Sequence, residues 1–112
     1  MPQGAMSTRA DALASWRVLT FSGELDLARA GTLRTAIDET LAAQERPLLA
    51  LDLRDLSFCD SYGLSVLVYA AKKVRERGGT LRLSGVSPQV RMLIERCGLE
   101  RLLVLPRHHP GS

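Results

Sequence analysis

Long apolar runs are missing from this chain of 112 residues. No stretch reaches the ~18 apolar residues that a membrane-spanning helix needs, so no membrane association is expected. The opening residues, MPQGAMSTRAD, lack an apolar signal-peptide core, and a cytoplasmic protein is expected. Aromatic residues make up only 4%, so the core must be built from aliphatic side chains. Cysteine is scarce as well. Cys59 and Cys97 form no CxxC pair, and no His or Cys stands at metal-ligand spacing from either, which argues against a zinc site or a disulfide framework. Both are expected to be small buried hydrophobes in a reducing compartment. The two histidines, His108 and His109, lie in a proline-flanked tail. A serine or cysteine nucleophile at Ser61 or Cys59 would therefore lack a base, and an enzyme is not expected. No metal or cofactor is implied. One-sided charge is absent too. Fifteen basic residues are interleaved with twelve acidic ones, for a net charge of +3. That gives a mildly basic surface and no nucleic-acid footprint.

What is present is an ordinary globular composition, 46% hydrophobic and 24% charged, in a length that suits one domain. Residues 1–14 are small and polar. They read as a flexible N-terminus or a short edge strand around Ser7–Ala10. The domain is expected over 15–105, with a tail at 106–112.

Trp16 to Ser22 is β-rich, with Trp16, Val18 and Thr20 on one face and Arg17, Leu19 and Phe21 on the other. Gly23 is read as ending this strand, with GELD at 23–26 as the turn out of it. Ala30, Leu33, Ile37 and Leu41 then recur at helical spacing, which predicts a helix over about 28–44. Residues 48–53, LLALDL, predict a central parallel strand covered on both faces, with Asp52 needing partners such as backbone amides of the following loop. A second helix is predicted over 61–77 on the stripe Leu64, Leu67, Val68, Ala71 and Val74. A strand at 80–84 follows, then a third helix over 88–97 with Val90, Leu93, Ile94 and Cys97 on its stripe. Leu102 to Leu105 is read as a last strand. Alternating strands and helices predict an α/β domain with a four- or five-stranded, mostly parallel sheet and three or four helices. In such sheets, sites form beyond the carboxyl ends of the strands, where GELD and FCDSYG at 58–63 should meet.

The chain is organised around that second loop. Asp60 and Ser61 are both good helix N-cap residues, and Asp-Ser before an apolar run is by itself an ordinary cap. Gly63 is unusual in a first helical turn, where glycine costs ~1 kcal/mol against alanine. It suggests a close approach to the backbone.

GELD, LLALDLRDLSFCDSYGLSVL and GGTLRLSGVSPQVRMLIERCGL, in this order and spacing, resemble the STAS-domain anti-sigma factor antagonists of bacteria. The resemblance covers about Trp16 to Leu105. It implies a binding protein that engages an anti-sigma factor serine kinase, frees a sigma factor, and is switched off by phosphorylation of the serine of D-S-x-G, here Ser61. A serine phosphatase would reverse the modification. Asp26, Asp60, Ser61, Tyr62 and Gly63 are the implied partner-binding positions, in a monomer or weak dimer without direct nucleic-acid contact. Tyr62 departs from the family, which usually has a small residue there. The closing helix of many members is expected to be short or missing. The alternative is a STAS scaffold subunit of a stress-signalling or lipid-transport assembly.

Overall fold

The computed structural model describes residues 6–11 and 16–103. The expected tail, both histidines and the end of the expected last strand lie outside the described residues. In chain order the elements are β1 (Met6–Asp11), β2 (Trp16–Leu25), α1 (Leu27–Ala42), β3 (Leu48–Cys59), α2 (Ser61–Glu76), β4 (Thr80–Ser84), α3 (Pro88–Arg96) and α4 (Glu100–Leu103). The sheet order is β1-β2-β3-β4. β1 is antiparallel to β2, whereas β2, β3 and β4 are parallel. The expected α/β class and mostly parallel sheet are therefore found.

Strand pairing through helical crossovers puts the apolar faces together. Leu19 and Phe21 of β2, Leu49, Leu51 and Leu53 of β3, and Leu83 of β4 share one face of the sheet. Every buried apolar residue of the helices joins the cluster on that face, including Ala30, Leu33, Ile37 and Leu41 of α1 and Ile94 of α3. β3 is thus covered by helices on one side only, not on both as expected. On its other side, Ala50 is buried but stands outside the core cluster. The Arg82 guanidinium stacks on the Trp16 ring at 4.4 Å from the two strands that flank it. Asp52 finds the expected kind of partner: its Oδ1 accepts from the Arg54 backbone N–H at 3.0 Å.

Four further expectations are corrected. Gly23 does not end its strand. It has φ of 78° and lies between register shifts, so it makes a bulge that bends β2 and lets pairing run on to Leu25. β3 likewise continues past Leu53 to Cys59, paired there with β2 alone. The run Leu102–Leu103 is helical, because Leu103 donates its N–H back to the Leu99 carbonyl at 3.0 Å and Leu103 is fully buried. A short apolar run cannot distinguish strand from helix by periodicity. In α2 it is Val66, not Val68, that is buried: the buried arc is wider than the expected stripe and centred on Gly63, Leu67, Ala70 and Val74, which leaves Val68 outside its edge.

Leu67 is fully buried at the centre of α2, as expected along with Leu51, Leu53 and Ile94. Leu67→Ala is expected to lower unfolding free energy by about 2–5 kcal/mol. Urea denaturation checks this, and a loss below about 0.5 kcal/mol would mean the side chain is not core.

Candidate functional site

β2 and β3 end together, with Leu25 beside Cys59, and α1 and α2 begin at that end. The tightest join there is between β2 and α2. The Asp60 N–H donates to the Leu25 carbonyl at 3.3 Å. A Cβ placed on Gly63 would lie 2.0 Å from that carbonyl oxygen. Only a glycine allows this approach, which accounts for its cost within a helix. Asp60 is the N-cap of α2, its Oδ1 accepting from the Gly63 N–H at 2.9 Å. Ser61 is then the first residue of the helix, and it is exposed.

Asp26 follows directly on Leu25 and stands at the N-cap position of α1. Its side chain makes no cap hydrogen bond, and its Oδ1 is buried without a hydrogen-bond partner. The structure therefore gathers Asp26, Asp60, Ser61, Tyr62 and Gly63 at one end of the sheet. Gly63 itself is buried.

Periodicity did not reveal the apolar surround of this end. Among the described residues, four large hydrophobic side chains are exposed: Leu27 (62%), Phe58 (46%), Tyr62 (54%) and Met92 (50%). Leu27 follows Asp26, Phe58 is the last residue but one of the long β3, and Tyr62 follows Ser61. Met92 belongs to α3, which is tied to the same end because the Gln89 side-chain amide donates to the Cys59 carbonyl at 2.9 Å. Leu27 is in helical register with Ala30, so sequence spacing alone would bury it. The signal that was available is Phe58, an aromatic residue beside the Asp-Ser turn.

Cys59 is buried, as expected, and Cys97 is exposed, which corrects the expectation for it. Cys97 is the C-cap of α3, beyond the last buried turn. Burial, then the neighbouring Asp60 charge, pushes the Cys59 thiol up from 9.0 to about 12. It is no nucleophile at neutral pH. A thiol-specific disulfide reagent at pH 8 should label one thiol per folded chain, Cys97, and both after unfolding. Labelling of two thiols in the folded chain would show that Cys59 is accessible. The linkage follows the raised value: folding favours the protonated thiol, so this contribution is full below about pH 9 and is lost as pH rises toward 12.

A sheet with helices on one face, an exposed serine at a helix start and four exposed apolar side chains characterise this end of the described domain. The chain belongs to the STAS domain family, whose sequence model matches residues 7–110. It is 32% identical over 94 residues to the anti-sigma-B factor antagonist of Bacillus subtilis, covering 84% of each chain. It is 30% identical over 86 residues to the anti-sigma F factor antagonist of Paenibacillus polymyxa, covering 77% of this chain and 74% of the other. The crystal structure of an anti-sigma factor antagonist from Mycobacterium paratuberculosis superposes with a TM-score of 0.72 at 26% identity, over 97% of this chain and 92% of that one. These three relatives are anti-sigma factor antagonists of bacteria. No helix among the described residues is long and apolar enough to cross a membrane.

Proposed function

We propose that this chain is an anti-sigma factor antagonist. Its unmodified form binds an anti-sigma factor serine kinase and so frees a sigma factor. Phosphorylation of Ser61 switches it off, and a serine phosphatase restores it. The carrying observation is that the four exposed large apolar side chains among the described residues lie on segments that meet around Ser61. Exposed apolar side chains gathered on one surface, with polar groups among them, mark a docking surface. Leu27, Phe58, Tyr62 and Met92 supply the apolar contacts, and Asp26 and Asp60 supply acidic ones. Gly63 contributes by holding the two turns together.

The chemistry of the switch follows from where Ser61 stands. The Ser61 hydroxyl takes the γ-phosphoryl group of ATP, with ADP leaving and the proton going to a base on the kinase. The chain is substrate and binding partner, not catalyst. A phosphoserine carries about −1.5 to −2 charge. The helix N-terminus accommodates an anion, so the domain stays folded. The partner, however, must then desolvate a dianion in the middle of the apolar patch.

Incubation with the serine kinase of the same genome and ATP, followed by mass mapping, tests the proposal. One phosphate on Ser61, absent from Ser61→Ala, is the expected result. A kinase that binds neither form, with transporter or stress-complex subunits copurifying instead, would favour the scaffold reading.

A further inference from the structure

α1 and α2 run in parallel, and two side-chain rungs join them at one register. Arg34 Nη2 donates to Ser65 Oγ at 2.9 Å, and the Tyr69 hydroxyl donates to Asp38 Oδ1 at 2.7 Å, with partners 31 residues apart in both pairs. The rungs are one helical turn apart. Carried one turn further toward the helix starts, the same register pairs Ala30 with Ser61. Ala30 is small and buried, so the rung beside Ser61 holds no α1 side chain that could meet a charge. The next rung holds Arg34. Long side chains on a helix lean toward its N-terminus, which here is the Ser61 end.

Arg34 is also under-used where it stands. Its Nη2 donates to a neutral hydroxyl, which itself donates to the Tyr62 carbonyl. Its Nε is buried without a hydrogen-bond partner. The guanidinium also stands 5.7 Å from the centre of the Tyr69 ring. A phosphate is a much stronger acceptor for a guanidinium than a hydroxyl is, and it can take two N–H groups at once. The other charged groups at this end are accounted for. Arg29 of α1 donates Nη1 to the Glu24 carbonyl at 2.6 Å. Glu24, Asp26 and Asp60 are acidic and would repel a phosphate. Tyr62 of α2 and Gln89 of α3 are uncharged, and Arg91 of α3, two residues beyond Gln89, is already engaged in an interaction of its own.

We propose that Arg34 reads the phosphate on Ser61. When Ser61 is phosphorylated, the guanidinium leaves Ser65 Oγ, moves one turn toward the helix starts and pairs with the phosphate oxygens, using the spare Nε–H. The phosphorylated end of α2 is thereby fixed to α1, and the dianion is held over the apolar patch instead of turning away from it. This rests on Ser61 being the switch residue. Arg34 acts through the phosphate and is a positioning residue.

The test uses the full chain with phosphoserine placed at position 61 by nonsense suppression, so that no kinase is involved. The second pKa of the phosphate, near 6 in the absence of partners, is followed by phosphorus NMR. Pairing with Arg34 favours the dianion and lowers this pKa. Arg34→Gln is expected to raise it by about half a unit or more relative to the parent. Arg34→Lys, which keeps the charge without the fork, should fall between the two and also guards against a folding defect. Arg29→Gln should leave the value unchanged. Equal pKa values in the parent and Arg34→Gln would overturn the proposal, as would a full shift produced by Arg29→Gln. Because the phosphate is installed directly, a working clamp on a serine that no kinase modifies would refute the functional reading and leave the clamp standing.

Discussion

Gly63→Ala is expected to destabilise the domain by about 3 kcal/mol, the upper end of the usual cost of overpacking. The added methyl would stand 2.0 Å from the Leu25 carbonyl oxygen and 2.7 Å from its carbon. These are backbone atoms at the end of a paired strand, so no side-chain rotation relieves the clash. Relief requires β2 and α2 to separate, which strains the hydrogen bond from Asp60 N–H to the Leu25 carbonyl. The gain in helix propensity, ~1 kcal/mol, opposes the loss but is smaller. Gly31→Ala is the control. Gly31 is exposed in α1, and an added methyl there would meet nothing within 4 Å, so the same change should stabilise by about 0.5–1 kcal/mol. Urea denaturation of both variants decides the matter. If the two are equally stable, the close approach of β2 to α2 does not exist in solution.

The second large effect is on binding. Phosphate on Ser61 should weaken the complex with the anti-sigma factor kinase by about 100-fold or more, equivalent to about 2.7 kcal/mol. Ser61→Asp adds a single charge at the same helix start and should weaken it by about tenfold. Ser61→Ala should bind like the parent. The N-cap of α2 is Asp60, not Ser61, so removing the hydroxyl costs the fold no cap. Titration calorimetry on all three forms with one kinase partner measures this. Equal affinity for the phosphorylated and unmodified chains would refute the switch, whatever the phosphate does to the fold.

The exposed apolar residues should then divide by their distance from Ser61 along the surface. Tyr62, next to the proposed phosphorylation site, is expected to contribute both to affinity and to the choice of partner. Bulky aromatic side chains in such positions dominate binding energetics when a partner encloses them. Its exposure gives this domain a large aromatic side chain beside the proposed switch residue.

Much of this was legible in the sequence because the signals are local. The change of apolar period from two to about 3.6 locates β2, α1, β3, α2 and β4, since side-chain direction depends only on local backbone geometry. Asp60 and Ser87 announce their helices because a cap is satisfied within three residues: each accepts from the N–H of Gly63 or Val90. The glycine ending α3 is similarly local, with Gly98 at φ of 68°. The oddity of Gly63 was visible too, but only as an anomaly without a cause.

The cause belongs to the tertiary structure. The clash partner of Gly63 is residue 25, a contact that exists only because parallel pairing sets Leu25 beside Cys59. Pairing register also turned the expected GELD turn into a bulged strand and extended β3 to the edge of the Asp-Ser turn. The exposure of Leu27, Phe58, Tyr62 and Met92 is of the same kind. Apolar spacing says which face of an element is hydrophobic, not whether another element arrives to cover it. Leu27 continues a buried stripe in sequence, yet it stands beyond the packing that buries the rest. The rungs between α1 and α2 likewise depend on two crossovers of matched length, and no local signal in either helix foretells that Arg34 would face Ser65. Local backbone chemistry determined the elements and their caps; long-range strand register decided which of them meet, and so where the site lies.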